Sequence, residues 1–434
     1  MTTPGRSHIR WFRNIAPYIN THRNRTFVLM LGGDAAQDPN FPTILNDLAL
    51  LHSLGVRLVL VHGNRPQIDC RLAAAGIPSR FHEDMRITDS ATMLHVTDAA
   101  ASLRAQIEAL FSMGLPNSPM QGARMRVCSG NFVTARPLGV VDGVDFQHTG
   151  RVRRIDNAGI QQQLAAGSIV LLSPLGYSPT GEIFNLMLED IAVHCAAGIG
   201  ADKLVLFGSA PGITGREGKL LRQLTVANIA GIEGQDGEQE KLLATAKRAC
   251  LAGVSRCHIV SYRDDCALLE ELFTHDGNGT LVAKDDYEQT RSATIDDVGG
   301  ILELIEPLER EGVLLKRSRE LLENEIRKFR IIERDGRTIA CAALYPFPEE
   351  NCGEVACIVS HPDYRGGQRG QRLLKEIERE ARALGLNRVF VLTTQTAHWF
   401  VEQGFEERSR DALPAQKQAL YNLQRNSKVF FKSL

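Results

Sequence analysis

The sequence predicts two α/β domains in series, a parallel-sheet α/β/α sandwich followed by a smaller α/β domain. Three observations carry that prediction. From Phe27 onward, apolar strand-like runs alternate with helically spaced segments, the pattern of a sheet covered on both faces. Far down the chain, Cys357 to Leu374 reads CIVSHPDYRGGQRGQRLL: an apolar run, an abrupt Gly-rich turn, then a helix whose stripe continues through Ile377, Ala381 and Leu384. Finally, 434 residues exceed what one hydrophobic core normally supports.

The elements follow in order. WFRNIAPYINTHRNRTF carries Trp11, Ile15, Tyr18 and Ile19 at helical spacing, a stripe that must pack on its own domain or cross to another subunit. FVLMLGG is a strand ending in Gly32 and Gly33, Phe41 to Leu54 a helix, and Val56 to Val61 a strand ending in the turn His62, Gly63, Asn64, Arg65, Pro66. Further strands are expected at Ile169 to Leu172 and Leu204 to Phe207. In such sheets ligands bind beyond the carboxyl ends of the strands, where the Gly-Gly and His-Gly turns lie.

Composition shifts at GTLVAKDDYEQTRSATIDDVGG, which places a short linker at residues 285–290 between a first domain at 26–284 and a second at 291–434, with residues 1–25 as an amino-terminal helix. The second domain opens with helical segments around Ile301 to Leu308 and Leu321 to Phe329. Strands follow at Phe329 to Arg334, at Thr338 to Pro346 after an Asp335-Gly336 turn, and at Gly353 to Ser360. After the Gly-rich stretch come the strand RVFVLTT, then HWFVEQGF as helix and return strand, then LYNLQRNSKVFFKSL.

The 43% apolar content and the formal net charge of −1 describe an ordinary globular chain, with nothing that suggests nucleic acid or an anionic membrane as partner. No apolar run reaches spanning length and MTTPGRSHIRWFRN lacks the apolar core of a secretory signal, so the cytoplasm is expected. The nine cysteines are odd in number and scattered, which fits reduced, mostly buried thiols. Cys352 and Cys357 lack a nearby His cluster, so no metal is expected.

In the Gly-rich stretch, Pro362 and Asp363 stop the strand, and Gly366, Gly367 and Gly370 let successive amides face one hollow. The following helix adds positive potential at its amino end, and Arg365 and Arg369 add full charges, so the hollow suits an anion. HPDYRGxxxG after an apolar strand resembles the acetyl-CoA-binding motif of the GCN5-related N-acetyltransferases. That resemblance implies acetyl-CoA as co-substrate, held by Ile358, Val359, Arg365, Gly366, Gly367, Gln368, Arg369 and Gly370; Gln368 stands where many members have glycine.

Residues 20–285 resemble the amino-acid kinase family, most closely acetylglutamate kinase, through strand-GG, HG with the RPQID helix, RITD at Arg86 to Asp89, and ELFTHDGNGT. Met30 replaces the family's Lys, HGGGP is reduced to HGNRP at Asn64 and Arg65, and NxNAD reads NLMLE with Glu189 in place of the aspartate. Phosphoryl transfer rests on positioning and charge neutralisation, so a kinase fold without kinase activity is expected. The arginine-inhibited members carry a His, Glu, Gly pattern, matched here by His258, Glu271 and Gly277, with Lys203 and Tyr18 beside them, which implies L-arginine as effector. Taken singly, Glu271 and Lys203 also read as solvated surface charges and His258 as a satisfied strand histidine.

Taken together, ACAALYPFPEE, ACIVSHPDYR, FVLTTQTAHWF and YNLQRNSKV are similar to the glutamate N-acetyltransferases that open arginine biosynthesis, whose architecture is a kinase-like domain fused to an acetyltransferase. That family implies transfer of acetyl to the α-amino group of L-glutamate, with Glu354 as base and Thr393 as proton donor to the thiol. Lys316, Arg317, Arg425 and Ser427 would bind the two carboxylates; the amino-terminal helix, as an oligomer contact, leads to the expectation of a homo-oligomer, a hexamer by family similarity. Two other readings stay open at this level: an acetylglutamate kinase that retains activity, and a non-catalytic arginine-binding regulator.

Overall fold

The computed structural model describes residues 13, 15–113, 121–122, 125–215, 218–232, 237–274, 277–284, 288–334, 337–364, 368–419 and 427–434. Contacts divide the chain into two units, Met1–Asp285 and Asp286–Leu434.

In the first unit the strand Thr26–Leu31 lies at the middle of an eight-stranded sheet, parallel to Arg57–His62 on one side and Lys203–Gly208 on the other. Its apolar run is explained by what its two faces meet. Val28 and Met30 enter one core with Val59, Val61, Leu204 and Leu206, while Phe27, Leu29 and Leu31 enter the opposite core with Leu58, Leu60 and Val205. Alternate residues thus feed two helical layers, and no position along the strand is left for a polar side chain. Among the described residues, only Arg256–Ser261 and Thr280–Ala283 pair antiparallel in this sheet. Asp89 begins the long helix Ser90–Phe111 by accepting from the amide of Thr92 at 2.8 Å, which accounts for the Thr-Asp of RITD.

A second, four-stranded sheet of Val133–Pro137, Gly150–Ile155, Leu175–Tyr177 and Ile183–Asn185 was not foreseen. Its strands are short, and Gly150–Ile155 alternates buried and exposed residues with arginines on the open face, so it shows no apolar run. In the helical segment at residues 15–22, Ile15, Tyr18 and Ile19 are half-buried against the core of their own unit, and His22 Nε2 meets the Leu272 carbonyl at 2.9 Å. Trp11 lies outside the described residues.

The second unit is a seven-stranded sheet in the order Gln289–Ser292, Phe329–Arg334, Arg337–Phe347, Cys352–Ser360, Arg388–Thr393, Lys428–Ser433 and Glu406–Arg408. Gln289 and Thr290, read from the sequence as linker, are the start of the edge strand. Arg291 in that strand grips Asp297 with two bonds of 2.7 and 2.8 Å, and Asp297 also closes a capping box with Thr294, fixing the entry to helix Val298–Arg310. Helix Arg369–Ala383 covers one face of the sheet, and Val298–Arg310 with Arg319–Glu325 covers the other.

One local irregularity shapes this unit. The register of Cys352–Ser360 against Arg337–Phe347 shifts between Ala343↔Ala356 and Cys341↔Val359, and Cys357 takes a φ of +51°. One extra residue is accommodated there, a β-bulge. Its effect on side-chain direction is direct: Val355 faces helix Arg369–Ala383, whereas Cys357 and Val359 face the opposite core. In a regular strand all three would share one face.

Candidate active site

Cys352–Ser360 pairs in parallel with Arg388–Thr393 only at Cys352–Glu354 against Arg388–Phe390, and beyond that point it keeps the Arg337–Phe347 strand alone as partner. The two parallel strands therefore part just after Glu354, three residues before the bulge at Cys357. Backbone groups that a continuous ladder would consume are released on the inner side of this fork, the setting in which a strand can bind a ligand through its main chain. Glu354 stands at the fork with 7% of its surface exposed.

Glu354 is held in a polar cluster drawn from four elements. Its Oε2 lies 2.5 Å from Lys417 Nζ on the short helix Ala415–Ala419. Tyr345 pairs with Glu354 across the strands, and its hydroxyl donates to Glu325 Oε2 at 2.8 Å. Glu325 also accepts from Lys328 at 2.9 Å, and the Lys328 ammonium sits 4.6 Å from the centre of the Tyr345 ring. Burial pushes the Tyr345 phenol upward, and its bond to the Glu325 carboxylate adds to the shift. Burial disfavours the charged Arg317 guanidinium, yet Cys357, Tyr345 and Glu354 around it raise it overall, so its charge is directed into this cluster. Arg317 is fixed by its own amide on Glu309 Oε1 at 3.0 Å and by Nη1 on the Leu315 carbonyl at 3.1 Å. Lys316 is exposed. Ser427 is buried at the start of the Lys428–Ser433 strand, and Arg425 lies outside the described residues.

The anion hollow is described only in part, since Arg365, Gly366 and Gly367 lie outside the described residues. At its far side Gln368 has a φ of +55° and accepts the first helical bond from the Arg372 amide at 2.9 Å. Gly370 has a packing reason to be glycine, because a Cβ there would stand 3.2 Å from the Trp399 ring. Arg369 does not present a bare charge. Its guanidinium pairs with Glu288 at 2.5 Å and donates to the Tyr364 carbonyl. Ile358 leans toward helix Arg369–Ala383 and Val359 toward the opposite core, again because of the bulge. Thr393 ends its strand with Oγ1 accepting from the Thr396 amide at 3.1 Å and sharing a bond of 3.0 Å with the Thr396 hydroxyl. Lys417, Tyr345, Glu325 and Glu288 were not singled out from the sequence. Each sits in a charged or mixed stretch with no spacing that marks it.

A model of the amino acid kinase family matches residues 25–261, and one of the acetyltransferase (GNAT) family matches residues 299–405. The amino-acid acetyltransferase of Ectopseudomonas mendocina is 58% identical over 429 residues, covering 98% of this chain and 99% of that one. That of Azotobacter vinelandii is 58% identical over 431 residues, covering 99% of this chain and 100% of that one. The chain belongs to the amino-acid acetyltransferases. Among solved structures, N-acetylglutamate synthase from Neisseria gonorrhoeae complexed with coenzyme A and L-arginine is 37% identical with a TM-score of 0.90, over 98% of this chain and 99% of that one. The same protein complexed with coenzyme A and N-acetyl-glutamate is 38% identical with a TM-score of 0.63, over the same shares of 98% and 99%.

In the kinase-like unit of this acetyltransferase, His258, Glu271, Gly277 and Lys203 come together. Lys203 Nζ lies 3.1 Å from His258 Nε2, and His258 Nδ1 lies 2.6 Å from Glu271 Oε1. An ammonium only donates, so Nε2 accepts, the imidazole is neutral, and Nδ1–H donates to the carboxylate. Burial and the neighbouring Lys203 charge both lower the His258 pKa in keeping with this. Burial raises Glu271, but its bonds to His258, Gly279 and Asn278 win and lower it overall. Its second oxygen accepts from the amides of Asn278 at 2.9 Å and Gly279 at 2.8 Å. Gly277, with a φ of +64°, approaches so closely that a Cβ would overlap that oxygen. Tyr18 stands one turn before His22 on the first helix.

A separate cavity of about 520 Å³ lies at the carboxyl ends of the strands and is lined in part by Met30, Gly33, Asn64 and Glu189. Met30 is buried, and Asn64 is buried with its amide directed at the Val96 carbonyl at 3.4 Å. Arg65 is drawn to Asp84 at 2.8 Å, and Lys241 pairs with the same carboxylate.

Proposed function

We propose that the second unit transfers the acetyl group of acetyl-CoA to the α-amino group of L-glutamate, and that the kinase-like unit is catalytically silent and binds L-arginine as a feedback inhibitor. The observation that carries the reading is a buried carboxylate, Glu354, at the fork of two strands with the Arg317 guanidinium in the same cluster. The relatives' names and the coenzyme A, N-acetyl-glutamate and arginine in the two Neisseria complexes support it.

The chemistry follows from those groups. The substrate amine arrives as an ammonium and must lose a proton before its nitrogen is nucleophilic. Glu354 takes that proton, directly or through one water. The nitrogen then bonds to the thioester carbon, and charge collects on the carbonyl oxygen. A main-chain N–H of Ile358 or Val359, on the released stretch of strand, binds that oxygen. Collapse breaks the carbon–sulfur bond, and Thr393, beside Thr396, passes a proton to the thiolate and recovers one from the attacking nitrogen, which sheds its second proton as it becomes the amide. Arg317, Arg425, Lys316 and Ser427 bind the carboxylates. Gln368, Gly370 and the loop Arg365 to Gly367 seat the diphosphate; Arg369 reaches it only by leaving Glu288.

Silence of the kinase-like unit is supported by Met30 and Asn64 inside its cavity, an apolar and a neutral side chain where transferred phosphoryl charge needs cations and bare amides. The arginine site is assigned to Glu271, His258, Lys203, Gly277 and Tyr18. The homo-oligomer, a hexamer by family similarity, is assigned to the amino-terminal helix, whose Ile15, Tyr18 and Ile19 are only half-buried on their own unit. Nine free thiols, six of them buried, agree with a reducing compartment, and the cytoplasm is the proposed location. The test is thiol release from acetyl-CoA across a panel of amino acids with and without arginine. Glutamate should be strongly preferred and arginine should suppress it; a different preferred amine would overturn the substrate assignment.

A further inference from the structure

The Lys417 to Glu354 contact is the least expected feature of the site. A primary ammonium sits 2.5 Å from the buried carboxylate, with side-chain exposures of 24% for the lysine and 10% for the glutamate. The amino-acid substrate presents the same chemical group, a primary ammonium with three donors, to the same oxygen. The lysine is also mounted to swing while its helix stays. Leu413, just ahead, is buried among Cys352, Phe390 and Phe431, and Gln418 Nε2 donates to the carbonyls of Asp411 at 2.9 Å and Leu413 at 2.8 Å. Four flexible carbons then connect a fixed backbone to the ammonium.

We propose that Lys417 is an internal stand-in for the substrate ammonium: it pairs with Glu354 and keeps it oriented in the empty site, and the incoming amino acid displaces it. This rests on Glu354 being the base. Among the described residues Lys417 supplies the contacting ion pair to Glu354 and Arg317 only longer-range charge, so without Lys417 a buried carboxylate stands with no cation in contact until substrate arrives, which is costly. Substrate then competes with a tethered group, and its apparent affinity is reduced by the fraction of enzyme in which the lysine is seated. Lys417 acts through Glu354 and is a positioning residue that contributes no atom to the product.

The variants Lys417→Met and Lys417→Arg test this on the full chain, with glutamate binding measured by calorimetry on the coenzyme A complex and steady-state KM measured beside it. Lys417→Met keeps the length without the charge and should tighten glutamate about three- to tenfold, while Lys417→Arg stays near the parent. In a Glu354→Gln background the Lys417→Met effect should vanish, because the stand-in then has no seat. Weaker glutamate binding in Lys417→Met would make the lysine a substrate contact, and unchanged binding would make it a surface ion pair; either overturns the proposal. If Glu354→Gln keeps full turnover, the base assignment itself fails. If Glu354→Gln loses turnover and Lys417→Met does not tighten glutamate, the stand-in alone fails.

Discussion

At the scale of single residues, charge is handled differently in the two units. Around Glu354 both Lys417 and Arg317 supply positive charge; the Arg317 main chain is tied to Glu309 through its amide and its guanidinium donates to the Leu315 carbonyl. A planar fork held in place pairs a substrate carboxylate in two bonds, which an ammonium does not reproduce. Arg317→Ala and Arg317→Lys should both raise the glutamate KM, by about ten- to a hundredfold for the alanine, with the acetyl-CoA KM nearly unchanged; steady-state titration of each substrate checks this. Equal effects on both substrates would move Arg317 to the coenzyme. In the other unit, burial and the Asp265 charge raise the Asp47 carboxyl from 3.8 to about 7. A carboxyl raised in the folded state costs stability as pH climbs from its ordinary value through about 7, and costs nothing below that window. Asp47→Asn should therefore raise the melting temperature at pH 8 and leave it unchanged below pH 4, as followed by calorimetry over pH.

At the scale of elements, the strands Thr26–Leu31, Ile169–Leu172 and Lys203–Gly208 were legible because burial on both faces forces an apolar run, and an apolar run is visible without coordinates. The bulge at Cys357 was not. CIVS reads the same whether or not one residue is inserted, since both faces there are buried and no polar position betrays the change of side. Sequence could name Glu354 while missing Tyr345, Glu325 and Lys417, which only the fold brings beside it. His258, Glu271 and Gly277 were legible only as a family pattern; that they touch, through a carboxylate on two loop amides, required the fold. The bulge carries a prediction. Cys357 sits at positive φ, where a β-branched side chain is strained. Cys357→Val should lower stability by about 1–3 kcal/mol and cut turnover, whereas Cys357→Gly should retain turnover, as read by denaturant titration and rate assay.

At the scale of the whole molecule, one chain joins an amino-acid-kinase-like fold to an acetyltransferase fold, and the proposed function assigns the chemistry to the second alone. Glu271 is the residue through which the first unit is expected to speak. Glu271→Ala removes the acceptor of the His258 ring and of two loop amides, so arginine inhibition should weaken by at least about tenfold while arginine-free turnover persists, measured as an inhibition curve. A coupled ATP assay with N-acetyl-glutamate should give no turnover above background, and a rate comparable to acetyl transfer would restore the kinase. The central claim is that a buried carboxylate at the strand fork activates the amine. The most direct measurement of it is glutamate-dependent thiol release by Glu354→Gln beside the parent chain, with coenzyme A binding followed by calorimetry. The account predicts a fall in kcat of about 10² to 10⁴ with coenzyme A affinity preserved; turnover within about threefold of the parent would contradict it.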